Sequence, residues 1–424
     1  MNKFKSVAKK IMSYIISMLI GGVIGVFLIL FSIKMKISPD HLGVSSFVFF
    51  SLVFIFFILA FYLQIIIHEG GHLIFGLLSG YKFVSFRVGS DVLVKYEDEG
   101  YKFKKMSLAG TGGQCLLDPP GKLGDPFPYK LYNYGGVILN LLTSILAVGL
   151  IFLLDGLVLI FLFLFAFVGI FFAILNGVPF KGKIINNDAK NVQILNKDES
   201  ARKYLWLQLK VYYLAVNGTR LKDMPDNYFE AEGDNSLAEA IKVSKISRLM
   251  DKHEFSDAKI AIDEFFSKHD YLTGYYKVSL ELERLFINLL HEKENANLEI
   301  LEDDMVKAVK SSMKNFITNL RIDYAVAKLH EKDEEKAAKI KEKFDKVCQS
   351  HPIKADVESE KELVEIVDKA VDEIGRPIVE KWGKVNEINR PIIEKWIKVD
   401  EINRPIVKKW WKVDEIDRPI VENW

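Results

Sequence analysis

The residues best suited to chemistry are His68-Glu69-Gly70-Gly71-His72. Two histidines stand four apart, and positions i and i+4 of a helix share a face, so both imidazoles can turn toward one ion. Two nitrogen ligands suit Zn²⁺, which binds imidazole and keeps a position open for water. A glutamate beside the first ligand is placed to take a proton from that water. Such a short spacing also arises by chance, and its surroundings give this one its weight. It ends an apolar stretch, residues 46–67, that holds no charged residue. Ionisable side chains next to such a stretch are costly in hydrocarbon and mark function where they occur. The bland alternative is a helix end at which His68 and Glu69 simply reach lipid headgroups.

Two histidines need a further ligand, and a carboxylate is the natural one. A later apolar stretch closes with Asn176-Gly177-Val178-Pro179-Phe180, and Asn186-Asn187-Asp188-Ala189 follows. Pro179 breaks a helix, and the freed backbone can bend an acid back toward the ion. Asp188 is the candidate; its rival role is to cap a helix starting near Ala189. Asp198 and Asp155 are the other acids considered, the first deeper in the polar half, the second at the opposite membrane face. Cys115, in Gly110-Thr111-Gly112-Gly113-Gln114-Cys115, is either a fourth ligand or a packed thiol; the open water position favours the thiol. No Gly-Lys-Ser/Thr follows these glycines, which excludes a phosphate loop. Residues 110–128, with four prolines, read as irregular backbone. Asn140 and Asn176 lie within apolar stretches, where an amide can bind substrate backbone or an oxyanion, or join two helices.

The elements that must hold these groups follow from hydropathy. Lys plus Arg number 57 and Asp plus Glu 56, so bulk charge gives no argument for nucleic acid. The chain's 424 residues allow two or three domains, with the apolar runs in the first 180. Its two cysteines make neither a disulfide framework nor a cysteine zinc site. Four spans are expected, at 11–33, 46–67 (helical through 80), 134–154 and 157–175. Lys3, Lys5, Lys9 and Lys10 precede the first, which reads as uncleaved with its amino end in the cytoplasm. The histidine motif then falls near the cytoplasmic leaflet, on the side where Lys181, Lys183 and Lys190 follow the fourth span. Between spans, residues 81–88 and 92–96 alternate apolar and polar around Gly89-Ser90, and 101–106 follow a second turn at Glu97-Asp98-Glu99-Gly100. This small sheet can accept an extended substrate by strand addition, or act as a plain connector.

The fold class is mainly α: a polytopic transmembrane helical core of about four spans, a small cytoplasmic-side β-hairpin or sheet, and an α-helical soluble domain. Residues 1–45 would form a cytoplasmic tail and first span, 46–195 the core, 196–350 the cytoplasmic helical domain, and 351–424 a linker with repeats. Residues 324–337 read as helix, short turn, helix, resembling a degenerate tetratricopeptide unit. The tail repeats every 14 residues around Arg376-Pro377, Arg390-Pro391, Arg404-Pro405 and Arg418-Pro419. Proline in each unit favours short helices over one long one, suited to a membrane surface or a partner, or left by duplication without function.

The chain resembles the site-2 protease family of intramembrane zinc metalloproteases. The likeness rests on His68-Glu69-Gly70-Gly71-His72 at a span's inner end, on Asn176 and Pro179 closing a later span, and on the hairpin between them. It covers residues 46–195. It implies His68, His72 and Asp188 as Zn²⁺ ligands and Glu69 as general base. The family's acid is usually followed by glycine a few residues past the proline; here the gap is longer and Ala189 follows, similar to the Gram-positive branch. No PDZ-like insertion is seen. The implied function is hydrolysis of peptide bonds in membrane-embedded substrates, for regulated intramembrane proteolysis or signal-peptide remnant processing, with a protein partner for the helical domain. The alternatives are an inactive membrane scaffold or accessory protein that retains a zinc site and, last, a zinc transporter, whose polar path the first and fourth spans lack.

Overall fold

The computed structural model describes residues 38–108, 111–180, 186–233, 235–268 and 274–373. The expected span at 11–33 and the 14-residue repeats lie outside them. Three helices among the described residues are long and apolar enough to cross a membrane: α1 (Ser46–Leu78), α2 (Tyr129–Ile151) and α3 (Val158–Gly177). The fold is mainly α, as hydropathy requires.

Ser45 starts α1 as its N-cap, accepting the Val48 N–H at 3.3 Å. At 1.5 Å per residue, the 33 residues of α1 extend about 50 Å, past a hydrocarbon core of about 30 Å. Its last turns therefore carry the histidine motif to the edge of the apolar layer or beyond. Where α1 crosses α2, glycine replaces side chains: a Cβ on Gly71 would overlap the Gly135 carbonyl, and one on Gly135 the Gly71 carbonyl. This backbone approach is the small-residue packing available to helices that have no hydrophobic drive toward each other in lipid. Helix α2 begins at Tyr129, five residues before its expected start at 134.

Between α1 and α2 lies one antiparallel sheet of β1 (Lys82–Val88), β2 (Asp91–Tyr96), β3 (Gly100–Lys105) and β4 (Gly113–Asp118), ordered β3-β2-β1-β4. The first three strands follow the alternating pattern and turn at Gly89 and Gly100, both in the left-handed region (φ 59° and 70°). The fourth corrects the sequence reading, since residues 113–118 are not irregular. They pair with the second edge of β1, with Phe86 opposite Cys115 and Arg87 opposite Gln114. Glycines that weaken a strand locally are overridden by a ready-made partner.

Nine more α-helices are described after the bundle: α4 (Asp188–Lys197), α5 (Glu199–Val216), α6 (Ser236–Asp251), α7 (Phe255–Lys268), α8 (Gly274–His291), α9 (Asp304–Ser312), α10 (Ile317–Ala325), α11 (Glu334–Ser350) and α12 (Lys354–Glu373). The helix–turn–helix at 324–337 forms, with Lys332 in the left-handed region (φ 56°) at the turn. These helices are not a detached appendix to the sheet. Val84, Val92, Val94 and Tyr96 share a core with Val211, Val216, Met224 and Ile353. Polar contacts fasten the β2–β3 turn to the same layer: Tyr96 donates to the Pro352 carbonyl at 2.8 Å, and Lys354 pairs with Asp98 at 2.8 Å and Glu99 at 2.7 Å. The compact unit holding these elements ends at Val364, within α12; the described part of the second unit is the remainder of that helix.

Candidate metal centre

His68 and His72 project from the last turns of α1, one helical turn apart. Their Nε2 atoms lie 3.3 Å from each other. Asp188, the first residue of α4, brings Oδ2 to 3.1 Å from His68 Nε2 and 3.6 Å from His72 Nε2. His68, His72 and Asp188 form a cluster whose ligand atoms all lie within 4.8 Å of one another.

The other ring nitrogens decide what this cluster can bind. His72 Nδ1 lies 2.8 Å from the Tyr132 carbonyl, which only accepts, so Nδ1 carries the proton. His68 Nδ1 lies 2.6 Å from Asn140 Oδ1. The Asn140 amide is oriented by Gln64, because its Nδ2 donates to the Gln64 backbone carbonyl at 3.0 Å and to Gln64 Oε1 at 2.6 Å. Gln64 Nε2 in turn donates to the Phe165 carbonyl of α3 at 3.0 Å. A relay across three helices thus ends on a His68 Nδ1–H. Both Nε2 atoms are left with lone pairs, and Asp188 Oδ2, buried and without a hydrogen-bond donor, faces them. Two imidazole nitrogens and a carboxylate oxygen converging on one point fit a cation, and they are a donor set that Zn²⁺ accepts.

Space around the cluster is set by glycines. A Cβ on Gly136 would lie 2.6 Å from the His68 ring, and one on Gly169 would lie 2.5 Å from Gln64 Nε2. Glu69, buried beside the cluster, rests on β4: a Cβ on Gly113 would fall 2.6 Å from Glu69 Oε1. Arg87 holds that point of the strand from β1. Its guanidinium donates to the carbonyls of Gly89 at 2.7 Å and Gly113 at 3.2 Å, and to the Thr111 hydroxyl. Burial pulls Arg87 below its ordinary pKa, and the Glu69 charge opposes this.

The remaining sequence candidates divide. Asn140 is buried in the relay, joining α2 to α1. Asn176 donates to the Phe172 carbonyl of its own helix at 3.2 Å. Asp198 caps α5, accepting from the Ser200 N–H at 2.9 Å, and Asp155 sits exposed between α2 and α3. The capping role once open to Asp188 falls to Asn187, whose Oδ1 accepts the Lys190 N–H at 3.0 Å. Cys115 is a buried free thiol among Tyr81, Leu117 and Tyr132, its pKa pushed up by burial and then by Glu69. Sequence reasoning missed Gln64, Gly113 and Asn187, and it read Gly136 only as a small residue suited to close helix packing. Only Gln64 carried a visible signal: an amide one helical turn before His68 in an apolar run.

No curated protein and no solved structure matches the chain. The family model described as peptidase family M50 matches residues 56–401, more than twice the extent of the segment whose motifs carried the resemblance. With that match across most of its length, the chain belongs to peptidase family M50, the site-2 protease family of membrane metalloproteases.

Proposed function

We propose that this chain is a zinc endopeptidase that cleaves membrane-embedded protein or peptide substrates, with His68, His72 and Asp188 as metal ligands and Glu69 as general base. The observation that carries the reading is the convergence of two imidazole lone pairs and a buried, donor-free carboxylate oxygen on one point, with Glu69 alongside. Zinc bound there supplies Lewis acidity toward a water and a peptide carbonyl. Asn140 and the Tyr132 carbonyl hold the two imidazoles in the ligating tautomer. Glu69, kept over Gly113, accepts the water's proton and returns it to the departing amine.

A substrate helix makes its backbone hydrogen bonds internally and must unwind before a carbonyl is open to attack. We place the unwound segment along β4. Among the described strands β3 and β4 each have a neighbour on one side only, and the first residue of β4 lies against Glu69. Strand addition there would deliver an extended backbone to the general base. The basic residues flanking the spans support a site near the inner leaflet, with the helical half on the cytoplasmic side. Regulated intramembrane proteolysis and signal-peptide remnant processing both fit such a site.

The test compares the protein with its Glu69→Gln variant, reconstituted in liposomes with a model transmembrane substrate. Cleavage is expected to fall to background while zinc content stays at one ion per chain. Residual cleavage near the original rate would end the proposal.

A further inference from the structure

The histidines come to the site on a continuous helix. Asp188 does not: it starts α4, after the break at Pro179 that ends α3. Something must hold that start against the end of α3. Asn187 uses all the hydrogen-bonding capacity of its amide to do so. Nδ2 donates to the carbonyls of Leu175 at 2.7 Å and Val178 at 2.6 Å. Oδ1 accepts from the N–H of Phe180 at 3.1 Å and of Lys190 at 3.0 Å. Leu175 lies in the last turn of α3, where carbonyls have no intrahelical donor. One side chain therefore satisfies an orphan carbonyl of α3, an orphan N–H of α4, and both sides of the proline break.

We infer that Asn187 is a positioning residue for the metal centre: it clamps α4 to the end of α3 and so sets where the Asp188 carboxylate stands. The inference rests on the reading of Asp188 as a ligand. Capping alone is a poorer account of this residue. A cap needs only an oxygen facing the first turn, which serine supplies as well as asparagine. The two donated bonds to Leu175 and Val178 contribute nothing to α4 as a helix. Their effect is to fix its origin relative to α3.

That difference gives the test. Full-length protein in detergent is titrated with zinc against a chromogenic chelator, for the parent chain, Asn187→Ser, Asn187→Ala and Asp188→Ala. Melting curves are taken in zinc-free buffer. Serine keeps a neutral cap and loses the reach to α3. The clamp predicts that Asn187→Ser and Asn187→Ala both weaken zinc by about 10- to 100-fold, the usual cost of removing a group that orients a ligand, while Asn187→Ser melts like the parent. Parental zinc affinity in Asn187→Ser would overturn the clamp. So would a zinc-free melting temperature that falls in step with affinity, which would make Asn187 a stability residue. Parental affinity in Asp188→Ala would instead overturn the ligand reading beneath it.

Discussion

Two of the buried polar clusters among the described residues end differently. In the helical half Arg321 is fully buried between Glu283 and Glu360, 2.6 Å from each, with its guanidinium over the Phe286 ring. There a positive charge meets negative ones inside the chain. In the bundle the relay runs from the Phe165 carbonyl through Gln64 and Asn140 to His68, and stops at lone pairs. His68 Nε2, His72 Nε2 and Asp188 Oδ2 face one another there. A buried acceptor without a partner is costly, and a carboxylate more so. The first network sets one guanidinium against two carboxylates of the chain itself, and Glu283 Oε2 and Arg321 Nη1 find no hydrogen-bond partner there. The second gathers two imidazole nitrogens and a carboxylate oxygen on one point, a donor set that Zn²⁺ accepts, and that convergence favours a site over a buried structural cluster.

The comparison breaks most sharply at the open end. His72→Phe keeps a planar ring in contact with Tyr132 and removes the ligating nitrogen. Cleavage is expected to fall to background, with zinc content reduced in parallel by metal analysis. A variant that retained both would show that the cluster is not what the cation needs.

The closed network should respond in the opposite currency. Arg321→Met leaves two carboxylates buried without their cation, a loss on the order of 3–5 kcal/mol. Unfolding by heat or urea should report it, while zinc content of the folded fraction stays at the parental level. Loss of zinc without loss of stability would mean that the helical half reaches the site by more than the shared sheet core.

Legibility in the sequence tracks how local each feature is. The histidine pair and Glu69 were readable because helical spacing alone brings them together. The three spans among the described residues were readable from length and hydropathy. The break at Pro179 was readable too, because proline ends a helix whatever surrounds it. Strand β4 was not, since its glycines indicate irregular backbone and only the free edge of β1 makes it a strand. Asn187 was passed over for its neighbour, because the carbonyls it binds belong to a different helix. Gln64 and Asn140 show the same limit: each was visible as a polar residue in apolar surroundings, but their pairing spans 76 positions.

A smaller effect is expected inside the relay. Asn140→Leu removes the acceptor for His68 Nδ1 and leaves Gln64 Oε1 without its donor. The imidazole is then free to carry its proton on Nε2, where it blocks ligation. Zinc affinity should drop by about 10- to 100-fold, as for other groups that orient a metal-binding histidine, without the complete loss expected of His72→Phe. Equal losses in the two variants would place Asn140 among the ligands rather than behind one.

The mildest test lies in a second ion network of the helical half, where Arg220 joins Asp251 and Glu362, the latter at 2.6 Å. The hydrogen bond from Arg220 holds the Glu362 carboxyl down at about 2, against partial desolvation, from an ordinary value of 4.5. A depressed carboxylate stabilises the fold fully above its unfolded pKa and loses that contribution as pH falls toward its folded one. Stability should therefore decline between pH 4.5 and about 2. Glu362→Gln should flatten that part of the profile and leave neutral-pH cleavage unchanged. Because the Glu362 side chain is 38% exposed, solvent screening keeps the effect small. An unchanged acid limb in the variant would assign the decline to other carboxylates, and Arg220 would then owe its buried position to Asp251 alone.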